Sequence, residues 1–137
     1  MMFDSDKYIG IVHHFNKSSF NGCDCIGLVR LFYREHGWRE DFWDNGVPIT
    51  KNNFNSSDTW KRLIKYLNSH FKSTKDPNVL TEGSIILFVV NGDMHIGIYT
   101  GHGMCLAMAV PVKEGISTAT LYHKRAWILA FKRGYVK

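Results

Sequence analysis

The sequence predicts a single domain of the α+β class. Three observations carry that prediction. Helical signals fall in the first half of the chain and strand signals in the second. A length of 137 residues suits one hydrophobic core, because domains cluster near about 100–150 residues. A composition of 45% hydrophobic and 21% charged residues is that of an ordinary globular protein and argues against disordered and fibrous classes.

The helices come first in the chain. Asp4 or Ser5 is placed to cap a short helix with Tyr8, Ile9 and Val12 on one face. A loop of polar and small residues comes next, over 16–22. Asp24 is a good N-cap for a second helix from about Cys25 to His36, in which Leu28, Leu31 and Phe32 recur at helical spacing. Gly37 suits the left-handed position just past its end. A third helix is expected after Asp58, where Trp60, Leu63, Ile64 and Leu67 at i, i+3, i+4 and i+7 form one apolar stripe. The stretch 38–57 between them, with Trp43, Pro48, Phe54 and several asparagines, reads as a long irregular connection.

From Ser84 onward short apolar segments alternate with turn signals, the pattern of an antiparallel meander. The expected strands are Ser84–Val90 and Met94–Thr100, separated by Asn91-Gly92-Asp93, then Met104–Val110 after a three-residue hairpin loop of Gly101-His102-Gly103. Ala126–Phe131 is expected to add a strand and Thr118–Leu121 another.

Charge and targeting signals narrow the function classes. A net charge of +5 favours an anionic partner, but the basic residues are scattered, with one modest cluster at Lys124, Arg125, Lys132, Arg133 and Lys137. No nucleic-acid reader motif accompanies them, so nucleic acid is not the expected partner. The start of the chain carries acids where an export signal has a basic and then an apolar stretch. The longest apolar run, Ile85 to Val90, is far shorter than the roughly 20 residues of a membrane span. Neither export nor membrane insertion is expected. Three cysteines, an odd number in a chain of this size, point to free thiols and not to a disulfide framework.

The candidate chemistry centres on Cys25. It comes directly after an N-cap and opens an amphipathic helix, where unsatisfied backbone N–H groups and the helix dipole favour thiolate over thiol. His95, within Met94-His95-Ile96-Gly97-Ile98-Tyr99, is an imidazole able to take the thiol proton if the fold brings it near. Zinc ligation by Cys23, Cys25, His95, His102 and Cys105 is disfavoured, because Cys-Asp-Cys entering a helix turns its two sulfurs apart. No cofactor is expected.

The segment Asn21-Gly22-Cys23-Asp24-Cys25-Ile26-Gly27-Leu28-Val29-Arg30-Leu31-Phe32-Tyr33 resembles the nucleophile segment of NlpC/P60 cysteine peptidases, and its Arg and Tyr are similar to the phage-tail branch of that family. Glu82-Gly83-Ser84-Ile85-Ile86-Leu87-Phe88 and His95-Ile96-Gly97-Ile98-Tyr99-Thr100-Gly101 resemble the family's strand start and the strand bearing its base histidine. The resemblance covers about Tyr8 to Arg133. It implies a papain-like fold, N-terminal helices packed on a small antiparallel sheet, in one domain over 1–137. It also implies a cysteine endopeptidase acting on peptidoglycan stem peptides, with Cys25 as nucleophile and His95 as base, carried in a phage tail after synthesis in host cytoplasm. Two positions depart from the family pattern. The third polar position, which orients the base, falls on Ala107; and where an aromatic usually stands upstream of the nucleophile this chain has Ile11-Val12-His13-His14-Phe15, so that either histidine could stand in for it. The rival expectation is a structural tail-tip or tail-assembly component that keeps the fold with weakened or lost chemistry.

Overall fold

The computed structural model describes residues 6–38, 57–74, 80–90, 92–110, 112–123 and 129–132, with 57–59, 123 and 129–132 described by backbone alone. Its elements are two helices, α1 (Cys25–Glu35) and α2 (Ser57–His70), and eight strands. These are β1 (Ser18–Ser19), β2 (Gly22–Cys23), β3 (Lys72–Thr74), β4 (Ile85–Val90), β5 (Asp93–Gly101), β6 (Met104–Met108), β7 (Ala119–His123) and β8 (Leu129–Lys132). β1 and β2 form a short hairpin, and the other six strands make one sheet in the order β3-β8-β4-β5-β6-β7. Every pairing between named strands is antiparallel.

α1 and α2 fall where the periodicity places them. α1 begins at Cys25 because Asp24 adopts an extended conformation and its side chain accepts the N–H of Gly27. It ends at His36, with Gly37 just beyond at φ +72°. In α2 Trp60, Leu63 and Leu67 are buried, as the apolar stripe requires. The stretch 39–56 lies outside the described residues.

The first expected helix is different. Asp4 and Ser5 lie outside the described residues, and the next residues, Asp6–Tyr8, make a single 3-10 turn. Beyond it the chain is extended, because backbone groups pair across to the end of the meander: Gly10 N–H donates to Ala119 O at 2.8 Å, and Ala119 N–H to Ile11 O at 2.8 Å. Val12 bridges Thr118 antiparallel, and His13 bridges Cys23 in parallel. β-branched Ile11 and Val12 fit this extended path better than a helix, while Ile9 lies in the turn before it.

Two strand expectations also shift. The β5–β6 connection is a two-residue loop, His102-Gly103, with φ +52° and +74° at the two positions and Gly101 paired with Met104. Positive φ at both positions matches the twist of the flanking strands. β3 is a short polar strand at the sheet edge paired with β8, and it carries no apolar alternation to mark it in the sequence.

The sheet has two faces. Ile85, Leu87, Ile96, Ile98, Leu106 and Met108 join the main core with Leu28, Val29, Leu31 and Phe32 of α1 and Leu63 and Leu67 of α2. Ile86, Phe88, Cys105 and Ala107 form a second cluster, flanked by Val90, Tyr99 and Tyr122. Each buried Leu, Ile or Phe of the main core contributes roughly 1.5–3 kcal/mol. That core holds α1, and with it Cys25, against the sheet.

Candidate active site

Cys25 is held by a short, heavily hydrogen-bonded stretch of chain. Asp24 is buried and uses both carboxylate oxygens: Oδ1 accepts the Gly27 N–H at 2.6 Å and Oδ2 accepts the Asn16 N–H at 2.7 Å. Its own N–H donates to Lys17 O at 3.1 Å. Ser18 Oγ donates to Gly27 O at 2.7 Å, and Arg34 Nη2 donates to Ser18 O. Residues 16–18 are thereby tied to the first turn of α1. Gly27 is required for this contact, since a Cβ there would collide with the Lys17 carbonyl oxygen and stand 3.0 Å from Asp24 Oδ1.

The electrostatics of Cys25 reverse the sequence expectation. Cys25 keeps some exposure as a residue, yet burial is the largest influence on its thiol, followed by the Asp24 carboxylate and Cys23. The thiol is pushed up to about 12, against the pull of its own backbone N–H. The helix terminus favours thiolate only where its N–H groups are free to face the sulfur. Here Asp24 takes the Gly27 N–H and brings negative charge beside the thiol. Burial likewise pushes Asp24 itself up to about 6, opposed by the N–H groups of Gly27 and Asn16, the charge of Arg30 and the Ile26 N–H. Cys23 is fully buried, and burial with Asp24 raises its thiol to about 12.

His95 lies in β5 directly across from Phe88 of β4, and the two rings stack with centroids 5.5 Å apart. It is 7% exposed. Strand alternation gives it the face of Gly97 and Tyr99, while its neighbours Ile96 and Ile98 pack in the main core with α1. Cys25 packs against the main core. Among the described residues no hydrogen bond joins His95 to Cys25. Extending the β5–β6 register from Tyr99↔Cys105 puts Ala107 across from Gly97. A Cβ at Gly97 would meet the Cys105 sulfur and stand 3.2 Å from the Ala107 Cβ. Ala107, the position to which the resemblance assigns a residue orienting His95, thus sits beside Gly97 on this face.

The upstream histidines differ from one another. His14 Nδ1 pairs with Glu114 Oε1 at 2.7 Å at the surface, and the Phe15 N–H donates to Glu114 Oε2 at 2.9 Å. Burial works upward on the Glu114 carboxyl, but the Phe15 N–H and the His14 side chain outweigh it and hold the group below its ordinary range. His13 is 1% exposed, and among the described residues its buried Nδ1 has no hydrogen-bond partner. Glu114 was missed in the sequence because no local pattern links residues 100 positions apart. The burial of His13 follows from backbone bonds of its segment to Ser117 and Cys23, partners that no local pattern signals. Among the described residues no three His, Cys, Asp or Glu side chains are grouped to hold a metal ion.

No family model matches the sequence, and no curated protein matches it. Among solved structures the chain is similar to the NlpC/p60 domain of the peptidoglycan hydrolase SagA. The TM-score is 0.55 at 17% identity, over 92% of this chain and 90% of that one. At this identity the likeness is one of architecture, and with two helices on an antiparallel sheet in the expected order this chain has the NlpC/p60 fold.

Proposed function

We propose that the protein is a cell-wall hydrolase, a cysteine endopeptidase that cleaves stem peptides of peptidoglycan with Cys25 as nucleophile. The observation that carries this reading is the placement of Cys25. It opens an Asp24-capped helix packed on an antiparallel sheet, in a fold shared with a domain of a peptidoglycan hydrolase. In the reaction the Cys25 thiol proton passes to an imidazole, for which the sequence motif nominates His95. The sulfur bonds to the scissile carbonyl carbon, and the Cys25 backbone N–H is placed to donate to the developing oxyanion. Collapse breaks the C–N bond, the imidazole returns the proton to the leaving amine, and water then hydrolyses the thioester. The Arg30 and Tyr33 similarity supports delivery of the protein in a phage tail after synthesis in host cytoplasm, with tail-tip proteins as neighbours.

A second reading has its own support. A thiol pushed up to about 12 and a methyl group at Ala107 are what a fold retained for assembly shows once chemistry is no longer selected. In that case the protein is a structural tail-tip or tail-assembly component. Purified wall incubated with wild type and with Cys25→Ala separates the two: new amine termini released by wild type alone support the hydrolase. No release at any pH from about 5 to 9 supports the scaffold.

A further inference from the structure

We propose that one face of α2 is a second wall contact, a basic hollow around Lys61 and Lys65 that takes the carboxylates of stem peptides. This inference rests on the reading of the protein as a wall hydrolase and names a surface by which it holds its polymer. Lys61, Ile64, Lys65 and Asn68 recur at i, i+3, i+4 and i+7 and so share one side of the helix. Together with Ser69 they line a hollow of about 590 Å³, within the roughly 300–1,000 Å³ of ordinary ligand clefts. Ile64 packs against the main core and anchors that side, while Lys61, Lys65, Asn68 and Ser69 are exposed. Trp60, Leu63 and Leu67 hold the helix to the core on the other side, so the hollow stands on a fixed element.

The charge on this face is uncompensated. From Thr59 to Lys75 the sequence holds Lys61, Arg62, Lys65, Lys72 and Lys75 and no Asp or Glu. Among the described residues neither Lys61 nor Lys65 has an ion-pair or hydrogen-bond partner, whereas Lys7 stands 3.9 Å from Glu35 and His14 pairs with Glu114. Like charges four residues apart on a helix repel each other, and an anion between them removes that repulsion. The two lysines rise from Cβ atoms about 5–6 Å apart, close enough for both ammonium groups to face one carboxylate. Asn68 adds amide N–H donors one turn on. Ser69 Oγ already donates to Lys65 O at 2.9 Å, so the polar contacts fall to the lysines and Asn68. Ile64 offers apolar surface to the methyl groups of alanine. Stem peptides join these two chemistries, alanine methyls beside free carboxylates, and the wall repeats them many times. A weak contact of this kind, used alongside the Cys25 site, raises the effective concentration of the next stem peptide.

The test is cosedimentation of the Cys25→Ala chain with insoluble wall stripped of phosphate polymers, before and after the wall carboxyl groups are amidated with carbodiimide and ethanolamine. On native carboxyls we expect Lys61→Gln with Lys65→Gln to weaken binding about tenfold, the loss of two exposed charge contacts. Lys61→Arg with Lys65→Arg should keep it. Lys72→Gln with Lys113→Gln removes the same charge elsewhere on the surface and should change binding less than about twofold. On amidated wall the difference between the two glutamine pairs should vanish. Binding that survives amidation, or that falls equally with either glutamine pair, overturns the inference. All four positions are exposed, and thermal melts matched to the parent chain show that each variant folds. Digestion is scored separately with Cys25 in place. A chain that binds through Lys61 and Lys65 and releases no amine termini loses the hydrolase reading alone, and one that digests wall but binds it equally with and without the two lysines loses this inference alone.

Discussion

The Cys25 segment and the sheet around His95 are held in different ways. Around Cys25, residues 16–28 are tied by polar contacts that leave little choice of geometry: Asp24 bonds two backbone N–H groups, Ser18 bonds the Gly27 carbonyl, and Arg34 bonds Ser18. Beside His95, Phe88 stacks on the ring, and Gly97, Cys105 and Ala107 pack at the neighbouring positions of the sheet. A polar network fixes direction, whereas apolar packing fixes only volume. The helix start is held by directed polar bonds, whereas the hairpin is held by side-chain packing.

The largest effects are expected where the backbone comes closest to its neighbours in each region. Gly27→Ala sets a Cβ against the Lys17 backbone, which cannot move aside cheaply, and is expected to cost about 3 kcal/mol or more in chemical denaturation. Gly97→Ala meets the end of the Cys105 side chain first. It is expected to cost about 1–3 kcal/mol, and Cys105→Ala in the same chain should restore part of that. Equal losses with no rescue would erase the contrast between the regions.

Asp24 separates the two regions by pH. Its folded pKa, about 6, is raised above the ordinary 3.8, so the native state binds more protons than the unfolded state between about pH 4 and 6. Its contribution to stability is therefore present at low pH and is lost as pH rises through that window, an effect of roughly 2 kcal/mol. Asp24→Asn preserves a capping side chain and should flatten this slope in melts taken from pH 4 to 6.5. The same change removes the charge beside Cys25 and should raise its alkylation rate at pH 7 by severalfold. A slower Cys25 would show that the carboxylate helps the thiol. The smallest effect is expected at the surface. Glu114→Gln breaks the pair with His14 and should cost below about 1 kcal/mol, shrinking further in high salt.

Much of this architecture is legible in the residues. Asp24 and the apolar spacing of Leu28, Leu31 and Phe32 mark α1 to within a residue or two, because capping and periodicity are local. The meander is visible for the same reason. What is not legible is set by distant partners. The extended path of 10–14 depends on strand bonds to 115–119, and the β8 position between β3 and β4 depends on the whole sheet. At the site, Cys25 and its helix position could be read from sequence, but not the direction of its thiol shift. That shift comes from burial and from Asp24 turning its carboxylate toward the helix start. Likewise His95 announces its strand but not what its ring faces.

Whether Cys25 is the nucleophile is decided by an acid-quenched reaction with soluble muropeptides bearing intact stem peptides, read by peptide mass analysis. We expect an acyl adduct on the Cys25 peptide of wild type at early quench times, and neither adduct nor released amine with Cys25→Ala. Amine release by Cys25→Ala at the wild-type rate, with no adduct on Cys25 at any quench time, would contradict that assignment.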